Sequence, residues 1–295
     1  MKKAEHEKKT EHIKKTDRKK KKGSLKKGRL IFYGILVFFI LSWIWSWVPV
    51  TERISIDLIP EDAEPVRIVL ITDLHSCYYG REQRSLIRRV EKEDPDIILL
   101  GGDIFDDNLD NGNSMYFVEA MAAEYSCFYV TGNHEYWSGK VPEIKEYLES
   151  LGVNVLAGDC RTLEFGDTLI DICGVDDPTR IRHHGWEDQL KAAFEAADES
   201  HVRILLSHRP ELYDVYEQYD FDLICAGHAH AGQILIPFVN RGLYVPDQGT
   251  MAEYVNGLYE LPNGSYMAVS RGLARESTPA PRYFNHPEVL VIDLY

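Results

Sequence analysis

Short apolar runs, each followed by a polar cluster, recur along the central part of the chain. Residues 97–100 form one such run, which lies between Pro95 and the pair Gly101-Gly102. An unbroken apolar run of this length between turn-forming residues predicts a strand that is buried on both faces, as is typical of α/β sheets. The same pattern predicts strands at residues 66–71, 127–130, 204–206 and 223–226.

Apolar residues at helical spacing separate several of these runs. The spacing predicts helices at residues 84–90, around residues 116–125, from Pro142 to Leu151, and along the apolar face of Trp186, Leu190 and Phe194. Gly152 follows the third of these helices, where a helix C-cap is expected.

The remaining pattern is rich in strands. Strands are predicted at residues 54–58, at three places within residues 153–175 with a turn at Gly166-Asp167, and at residues 289–294. Strands that alternate with helices, followed by a strand-rich end, predict an α/β fold in which helices lie outside two packed sheets.

A long apolar segment precedes the first strands. Residues 30–50 contain no charged residue and are long enough to cross a bilayer as a helix. The segment is too long for the apolar part of a signal peptide, and no small-residue cleavage site follows it. We therefore expect a basic cytoplasmic tail at residues 1–29, a single transmembrane anchor at residues 30–50 and an external domain at residues 51–295.

Charge is distributed unevenly along the chain. Residues 1–29 contain 14 Lys/Arg and 4 Asp/Glu, which leaves 19 basic and 43 acidic residues for the rest of the chain. The positive-inside rule places the tail in the cytoplasm and the domain outside the cell membrane. Because nucleic-acid binding requires a basic surface, no nucleic-acid partner is expected for a domain this acidic.

The five cysteines form no CxxC pair and are odd in number. This pattern predicts neither a zinc finger nor a disulfide framework. Cys173 and Cys225 lie in apolar runs and are expected to be ordinary core residues, whereas Cys77 is expected in a loop.

Five of the predicted strands are followed by residues that can bind metal. These residues are Asp73 and His75, Asp103, Asn133 and His134, His208, and His228 and His230. The carboxyl ends of strands in open α/β sheets are where ligands bind. Imidazole, carboxylate and amide-oxygen ligands together suit Mn, Fe or Zn better than Ca. The candidates are too many for one tetrahedral zinc and enough for two ions that share a carboxylate.

Other polar residues are expected to have structural roles. We expect His183, His184 and His201 at the surface, Asp106 and Asp107 as caps of the following helix, and Arg271 in an ion pair rather than on a phosphate.

The five polar clusters resemble the motifs of the calcineurin-like metallophosphoesterases. They are Asp73-Leu74-His75, Gly102-Asp103, Gly132-Asn133-His134-Glu135, Ser207-His208 and Gly227-His228-Ala229-His230. Residues 231–234, Arg271-Gly272 and Pro287-Glu288 resemble the membrane-anchored bacterial branch of that superfamily. That branch more often has glycine in place of Ala231, a departure that leaves the ligand positions unchanged.

The resemblance implies a four-layer fold, a two-sheet sandwich flanked by helices, and a centre with two divalent ions (Mn, Fe or Zn). One ion would be bound by Asp73, His75, Asp103 and His230, and the other by Asp103, Asn133, His208 and His228. Asp103 would then bridge the two ions. His134 resembles the histidine of the family that binds no metal and stabilises or protonates the leaving oxygen.

We therefore expect an exported, membrane-anchored phosphodiesterase or pyrophosphatase, in which water activated by metal attacks a lipid or envelope-related phosphoester. The related UDP-diacylglucosamine pyrophosphohydrolases act on substrates of this class. A phosphomonoesterase is the alternative, and a non-catalytic metal-binding scaffold is a third hypothesis. Scaffolds usually lose ligands, and no expected ligand is missing here. The substrate, the native metals and the oligomeric state stay open.

Overall fold

The computed structural model describes residue 6 and residues 26–179, 183–278 and 280–295, without the side chains of His183 and His184. The chain forms two compact units, Met1–Trp45 and Ser46–Tyr295. In the first unit, helix α1 covers Lys26–Trp45 and nearly all of it is exposed. Within the described ranges, α1 is the one helix whose length and composition allow it to cross a membrane.

The helix ends earlier than the predicted apolar segment at residues 30–50. Val50 lies in the first strand of the second unit instead. Pro49 provides the physical reason, because proline has no N–H for a helical hydrogen bond and disfavours helical backbone at the residue before it.

The second unit contains fifteen strands and six helices within the described ranges. The strands are β1 (Val50–Ile56), β2 (Val66–Ile71), β3 (Ile97–Gly101), β4 (Ser126–Val130), β5 (Asn154–Val155), β6 (Asp159–Phe165), β7 (Thr168–Gly174), β8 (Val202–Leu206), β9 (Leu223–Ala226), β10 (Leu235–Ile236), β11 (Arg241–Val245), β12 (Gly249–Ala252), β13 (Gly257–Glu260), β14 (Tyr266–Val269) and β15 (Glu288–Leu294). The helices are α2 (Arg84–Glu91), α3 (Gly112–Glu124), α4 (Asn133–Ser138), α5 (Val141–Ser150), α6 (His183–Ala196) and α7 (Tyr213–Tyr216).

Two six-stranded sheets form the centre of this unit. The first has the strand order β1-β15-β2-β3-β4-β5, in which β2 to β5 are parallel. The second has the order β13-β14-β9-β8-β7-β6, in which β7, β8, β9 and β14 are parallel. Strands β10 to β12 form a small antiparallel sheet.

Alternate residues of each strand pack on opposite faces of its sheet. In β2, Ile68 and Leu70 pack in the core between the two sheets, whereas Val69 and Ile71 pack with residues of α2, α3 and α5. On the second sheet, Trp186 of α6 packs with Ile224 of β9. This alternation produces four layers in the order helix, sheet, sheet, helix, which confirms the predicted fold class.

Cys160 and Cys173 form a disulfide, so the expectation that Cys173 is an ordinary core residue is wrong. The two residues lie directly opposite each other in the antiparallel pair β6 and β7. Cys173 is therefore not an ordinary core thiol. Cys225 is a buried free cysteine, as predicted. The pairing depends on the register of the hairpin, which the spacing of cysteines in the sequence does not reveal.

Candidate metal centre

The expected ligands meet at the carboxyl edge of both sheets. Asp73, His75 and His230 form one group and Asp103, His208 and His228 another, and within each group the potential ligand atoms lie within 4.8 Å of one another. Asn133 begins α4 after β4 and lines the same cavity as Asp103. The structure thus brings together all seven residues that the sequence singles out as ligands.

Asp103 lies between the two groups. Its Oδ2 atom is 3.6 Å from Nε2 of His75 and 3.2 Å from Nε2 of His208. His75 belongs to the first group and His208 to the second. A carboxylate at this position can contact cations held by either group.

Several potential metal-ligand atoms at this edge are buried and have no hydrogen-bond partner among the described residues. They include Nε2 of His75, Oδ1 of Asn133, Nε2 of His208, Nδ1 of His228 and Nδ1 of His230. Leaving a buried polar group unpaired costs roughly 1–3 kcal/mol, so the absence of partners needs a cause. Imidazole nitrogens, an amide oxygen and two carboxylates are a donor set that suits divalent transition metals. The residues present therefore fit a pair of divalent cations.

Neighbouring groups hold the rings of His75 and His208 in orientation. The Nδ1 atom of His75 lies 3.0 Å from Oδ2 of Asp106, and Nδ1 of His208 lies 2.8 Å from the carbonyl oxygen of Gly101. Each acceptor favours the tautomer that carries hydrogen on Nδ1, which leaves Nε2 with a free lone pair. Such an outer hydrogen bond is the usual device that orients a metal-binding histidine.

The electrostatics of this edge favour positive charge. Burial opposes charge on His208, but the carboxylate of Asp103 outweighs burial and raises the pKa of His208 to about 10. Burial likewise opposes charge on Asp103, yet the neighbouring His208 holds the pKa of Asp103 well below its usual value. By contrast, burial lowers the pKa of His230 to about 3.

The backbone at the carboxyl edge is strained. Five of the expected ligands have left-handed φ angles, which are 52° for Asp73, 47° for His75, 52° for Asp103, 60° for His228 and 45° for His230. Such conformations cost on the order of 1–3 kcal/mol each and cluster at functional sites. The surrounding sheets supply the packing that keeps these residues in place.

Two glycines of the motifs are required by close approach. A Cβ atom on Gly132 would lie 2.2 Å from Oδ1 of Asp103, and one on Gly227 would lie 2.6 Å from Oδ2 of Asp73. Both distances are shorter than any tolerable contact, so a larger residue at either position would displace an expected ligand.

Glu135 has a role that the sequence analysis missed. Its carboxylate accepts hydrogen bonds from the backbone N–H groups of Asp103 (3.0 Å), Phe105 (3.0 Å) and Gly132 (2.8 Å). Burial and the nearby Asp103 raise the pKa of Glu135 to about 7. Glu135 thus joins the loop after β3 to the loop after β4. Its position three residues after Gly132, the N-cap of α4, is the signal that could have revealed it.

His134 lies at the wall of the cavity rather than among the unpartnered ligand atoms. Its backbone N–H donates to Oδ1 of Asp103 over 2.8 Å, and its Nδ1 lies 2.6 Å from Oδ1 of Asp107. The ring centroid is 4.6 Å from that of Trp137. About a fifth of the side chain (21%) is exposed, so the imidazole is accessible from the cavity.

Asp106 and Asp107 do not cap the following helix, so that expectation is wrong. Helix α3 begins at Gly112 and its N-cap position is Asn111. Asp106 accepts hydrogen bonds from the backbone of Asn108 and Leu109, which turns the chain before the helix starts. The turn leaves the carboxylates of Asp106 and Asp107 free to contact His75 and His134, respectively.

Arg209 is a second residue to which the sequence analysis gave no role. Its guanidinium contacts Asp177 (2.6 Å) and Asp247 (2.7 Å) and lies 3.0 Å from Nε2 of His228. Glu211, His228 and Asp247 form a further cluster of potential ligands. The guanidinium of Arg209 contacts all three members of that cluster and supplies positive charge to it.

The remaining polar residues for which structural roles were expected agree with those expectations only in part. Arg271 forms ion pairs with Glu288 and Glu52, as expected. His201 is largely buried against Asp171, with 15% of its side chain exposed, so the expectation of a surface position is wrong. The side chains of His183 and His184 lie outside the described residues.

A cavity of about 630 Å³ opens beside the two ligand groups. Its polar part includes Asp103, Asn133 and His228, whereas Trp137 and Tyr244 belong to its apolar wall. The cavity is large enough for a phosphoester together with part of an apolar substituent.

Comparison with known proteins gives three relatives of note. A Helicobacter pylori (strain J99) protein named uncharacterized metallophosphoesterase is 31% identical over 70% of this chain and 54% of its own length. The Bos taurus transmembrane protein with metallophosphoesterase domain is 29% identical over 78% of this chain and 53% of its own length. Phosphodiesterase YaeI of Escherichia coli K12 is 28% identical over 79% of this chain and 84% of its own length.

This chain spans about half the length of the first two of these relatives. Residues 66–232 match the family model described as calcineurin-like phosphoesterase. The matched segment contains all five motifs and all seven residues that meet at the carboxyl edge. The chain therefore belongs to the calcineurin-like phosphoesterase family.

Proposed function

We propose that the chain is a membrane-anchored hydrolase of phosphodiesters or pyrophosphates that works with two divalent metal ions. The observation that carries the proposal is the set of buried, unpartnered donor atoms of His75, Asn133, His208 and His228 around the carboxylate of Asp103. Bound metal ions would satisfy these atoms, whose burial without partners would otherwise be costly.

Asp73, His75, Asp103 and His230 would hold one ion, and Asp103, Asn133, His208 and His228 the other. Two ions so held would supply positive charge that polarises the phosphoryl oxygens and makes water a better nucleophile near neutral pH. They would also let a very acidic domain accept an anionic substrate. Mn, Fe and Zn are compatible with this donor set.

His134 would act on the leaving group. Its contact with Asp107 orients the imidazole, and its place in the cavity wall gives it access to a bound phosphoester. A proton donated by this ring would stabilise the charge that develops on the leaving oxygen, an interaction that is stronger in the transition state than in the ground state.

Membrane anchoring by α1, with the amino-terminal tail in the cytoplasm and the catalytic domain outside, has two lines of support. The tail before α1 is rich in Lys and Arg. The disulfide between Cys160 and Cys173 is of a kind that persists in oxidising compartments. A reporter that is active only outside the cytoplasm, fused after Tyr295, should therefore be active, and an inactive fusion would overturn this orientation.

A lipid or envelope-related phosphoester is the substrate class we propose. The decisive experiment uses the purified full-length chain with a soluble aryl phosphodiester and the matching aryl phosphomonoester. We expect the diester to be hydrolysed, the activity to vanish with a chelator, and added Mn to restore it. Much faster turnover of the monoester would favour the phosphomonoesterase alternative. No hydrolysis of either compound by metal-loaded protein would favour a binding scaffold.

A further inference from the structure

Exposed aromatic side chains occur in the segments next to the carboxyl edge and in the small sheet, and two of them, Trp137 and Tyr244, line the cavity. They are Trp47, Tyr78, Trp137, Phe238 and Tyr244, which we call the aromatic rim. Phe238 is fully exposed, and Val239 next to it is also exposed. Exposed apolar patches of this kind mark interaction surfaces in soluble domains. Aromatic residues with one apolar and one polar side are enriched where proteins meet the membrane interface.

The aromatic rim belongs to the edge that carries the expected ligands. Tyr78 follows β2, and Trp137 lies in α4, which begins directly after β4. Tyr244 lies in β11 of the small sheet and lines the cavity together with Asp103 and His228. Phe238 and Val239 lie at the turn between β10 and β11 of the same small sheet.

The chain enters the second unit at this same edge. Val50 pairs with Glu288 at the start of the parallel strands β1 and β15. Strand β15 is antiparallel to β2, so Leu290 lies beside Leu70 near the carboxyl end of β2. The start of β1 is therefore at the level of Thr72 and Asp73. Four residues separate the end of α1 from Val50, so this edge follows the proposed membrane anchor closely in the sequence.

A basic groove accompanies the entry point. Pro49 and Val50 line it together with Arg84, Arg88 and Lys92 of the segment after β2. These cations are notable because the domain as a whole is strongly acidic. Anionic lipid headgroups attract basic side chains near the membrane surface. The groove therefore complements the charge of an anionic bilayer.

We infer that the carboxyl edge, with its aromatic rim, docks on the lipid bilayer and that the substrate is an amphiphilic phosphoester drawn from that bilayer. This inference rests on the proposed function for its chemistry. Leu243 and Tyr244 are at once exposed and part of the cavity wall, so the apolar surface continues from the outside of the rim to the metal ligands. The acyl or prenyl part of a lipid can follow this surface while its phosphoester reaches the ligands.

The docking test uses the full-length chain reconstituted in vesicles of phosphatidylcholine and phosphatidylglycerol. An environment-sensitive fluorophore is attached at Phe238→Cys or, as the matched control, at Tyr295→Cys beyond the opposite end of β15. Cys77, Cys127 and Cys225 are buried and so should not compete for the label. We expect lipids spin-labelled near the headgroup to quench the fluorophore at 238 and leave that at 295 bright. Equal quenching at the two positions would overturn the docking.

The substrate test compares two substrates in the same vesicles, a soluble aryl phosphodiester and a fluorescent phospholipid that carries a phosphodiester. The double variant Phe238→Ser, Val239→Ser should lower the rate of lipid hydrolysis about tenfold, because the free energy of burying one such apolar side chain corresponds to a change of about that size. The rate of hydrolysis of the soluble compound should stay unchanged. Leu169→Ser, an exposed position near the start of β7, should change neither rate. Equal loss of both rates, or turnover of the soluble compound without the lipid by the unmodified chain, would overturn the inference.

The two proposals fail in different ways. If the unmodified chain hydrolyses neither compound when loaded with Mn, the proposed function is wrong, and quenching at 238 still decides the docking. If the soluble compound is hydrolysed but the label at 238 is not quenched, the proposed function stands and the docking is wrong.

Discussion

The interior of the sheets and their carboxyl edge differ in what they bury and in how the backbone runs. Between the sheets, buried side chains such as Leu70, Leu99 and Phe128 are apolar and belong to regular strands. At the edge, Asp103 and His208 are equally buried but polar, and Asp103 has a left-handed φ angle of 52°.

The difference indicates that the interior and the edge have separate roles, one in stability and the other in function. The interior provides stability through apolar burial, and the edge uses part of that stability to keep strained and unpaired polar groups in position. Substitutions in the interior should therefore lower the free energy of unfolding with little direct effect on chemistry. Substitutions at the edge should do the reverse, which the following predictions test in order of expected size.

His134→Ala should give the largest effect on rate. General acid catalysis typically contributes roughly a hundredfold to ten-thousandfold, so we expect kcat to fall within that range for alkyl leaving groups. The loss should shrink for aryl leaving groups that need little protonation. Metal content and the unfolding midpoint should stay near those of the unmodified chain.

The matched control is His201→Ala, which removes a histidine that also contacts an aspartate but lies away from the cavity. Its kcat should be unchanged. Loss of bound metal in His134→Ala would make His134 a ligand, and an unchanged kcat for an alkyl substrate would exclude it from the chemistry.

Leu99→Ala tests the interior. Leu99 is fully buried between the sheets, and truncation of such a residue costs about 2–5 kcal/mol of the free energy of unfolding. Denaturant unfolding of the detergent-solubilised chain measures this loss. Leu169→Ala, at a position with 37% exposure in β7, is the control and should cost far less. A large loss of kcat in Leu99→Ala without a loss in the free energy of unfolding would contradict the separate roles of interior and edge.

Asp106→Asn should have a smaller effect. Asp106 orients His75 without belonging to the expected ligand set, and such outer contacts are typically worth about 10–100-fold in metal affinity. A metal titration followed by calorimetry measures the change. Asp110→Asn is the control from the same loop, since its carboxylate contacts the backbone of Gly112. Equal metal affinity of Asp106→Asn and the unmodified chain would show that His75 needs no orienting carboxylate.

The strands, and the polar residues that meet at their carboxyl ends, could be predicted because their signals are local. The run at residues 97–100 shows its burial directly in its composition, and Asp103 and His208 stand at fixed positions after such runs. The roles of Glu135 and Arg209 could not be derived in this way. They contact residues from several different loops, and only the folded chain brings those loops together.

Local signals also caused the wrong expectations. Asp106 and Asp107 precede a helix and so resemble caps, but the turn that Asp106 makes moves the start of α3 to Gly112. The disulfide between Cys160 and Cys173 depends on which residues of β6 and β7 face each other. In both cases the outcome depends on loop length and strand register rather than on residue type.

The account depends most on a two-ion centre bridged by Asp103. The most direct measurement titrates Mn into the metal-free, full-length chain and records bound metal and hydrolysis of the aryl phosphodiester in the same samples. We predict that activity rises until two ions are bound per chain and that Asp103→Asn weakens the binding of both, because one shared carboxylate contacts the two ligand groups. Full activity with a single ion, or two ions retained at full occupancy by Asp103→Asn, would contradict the account.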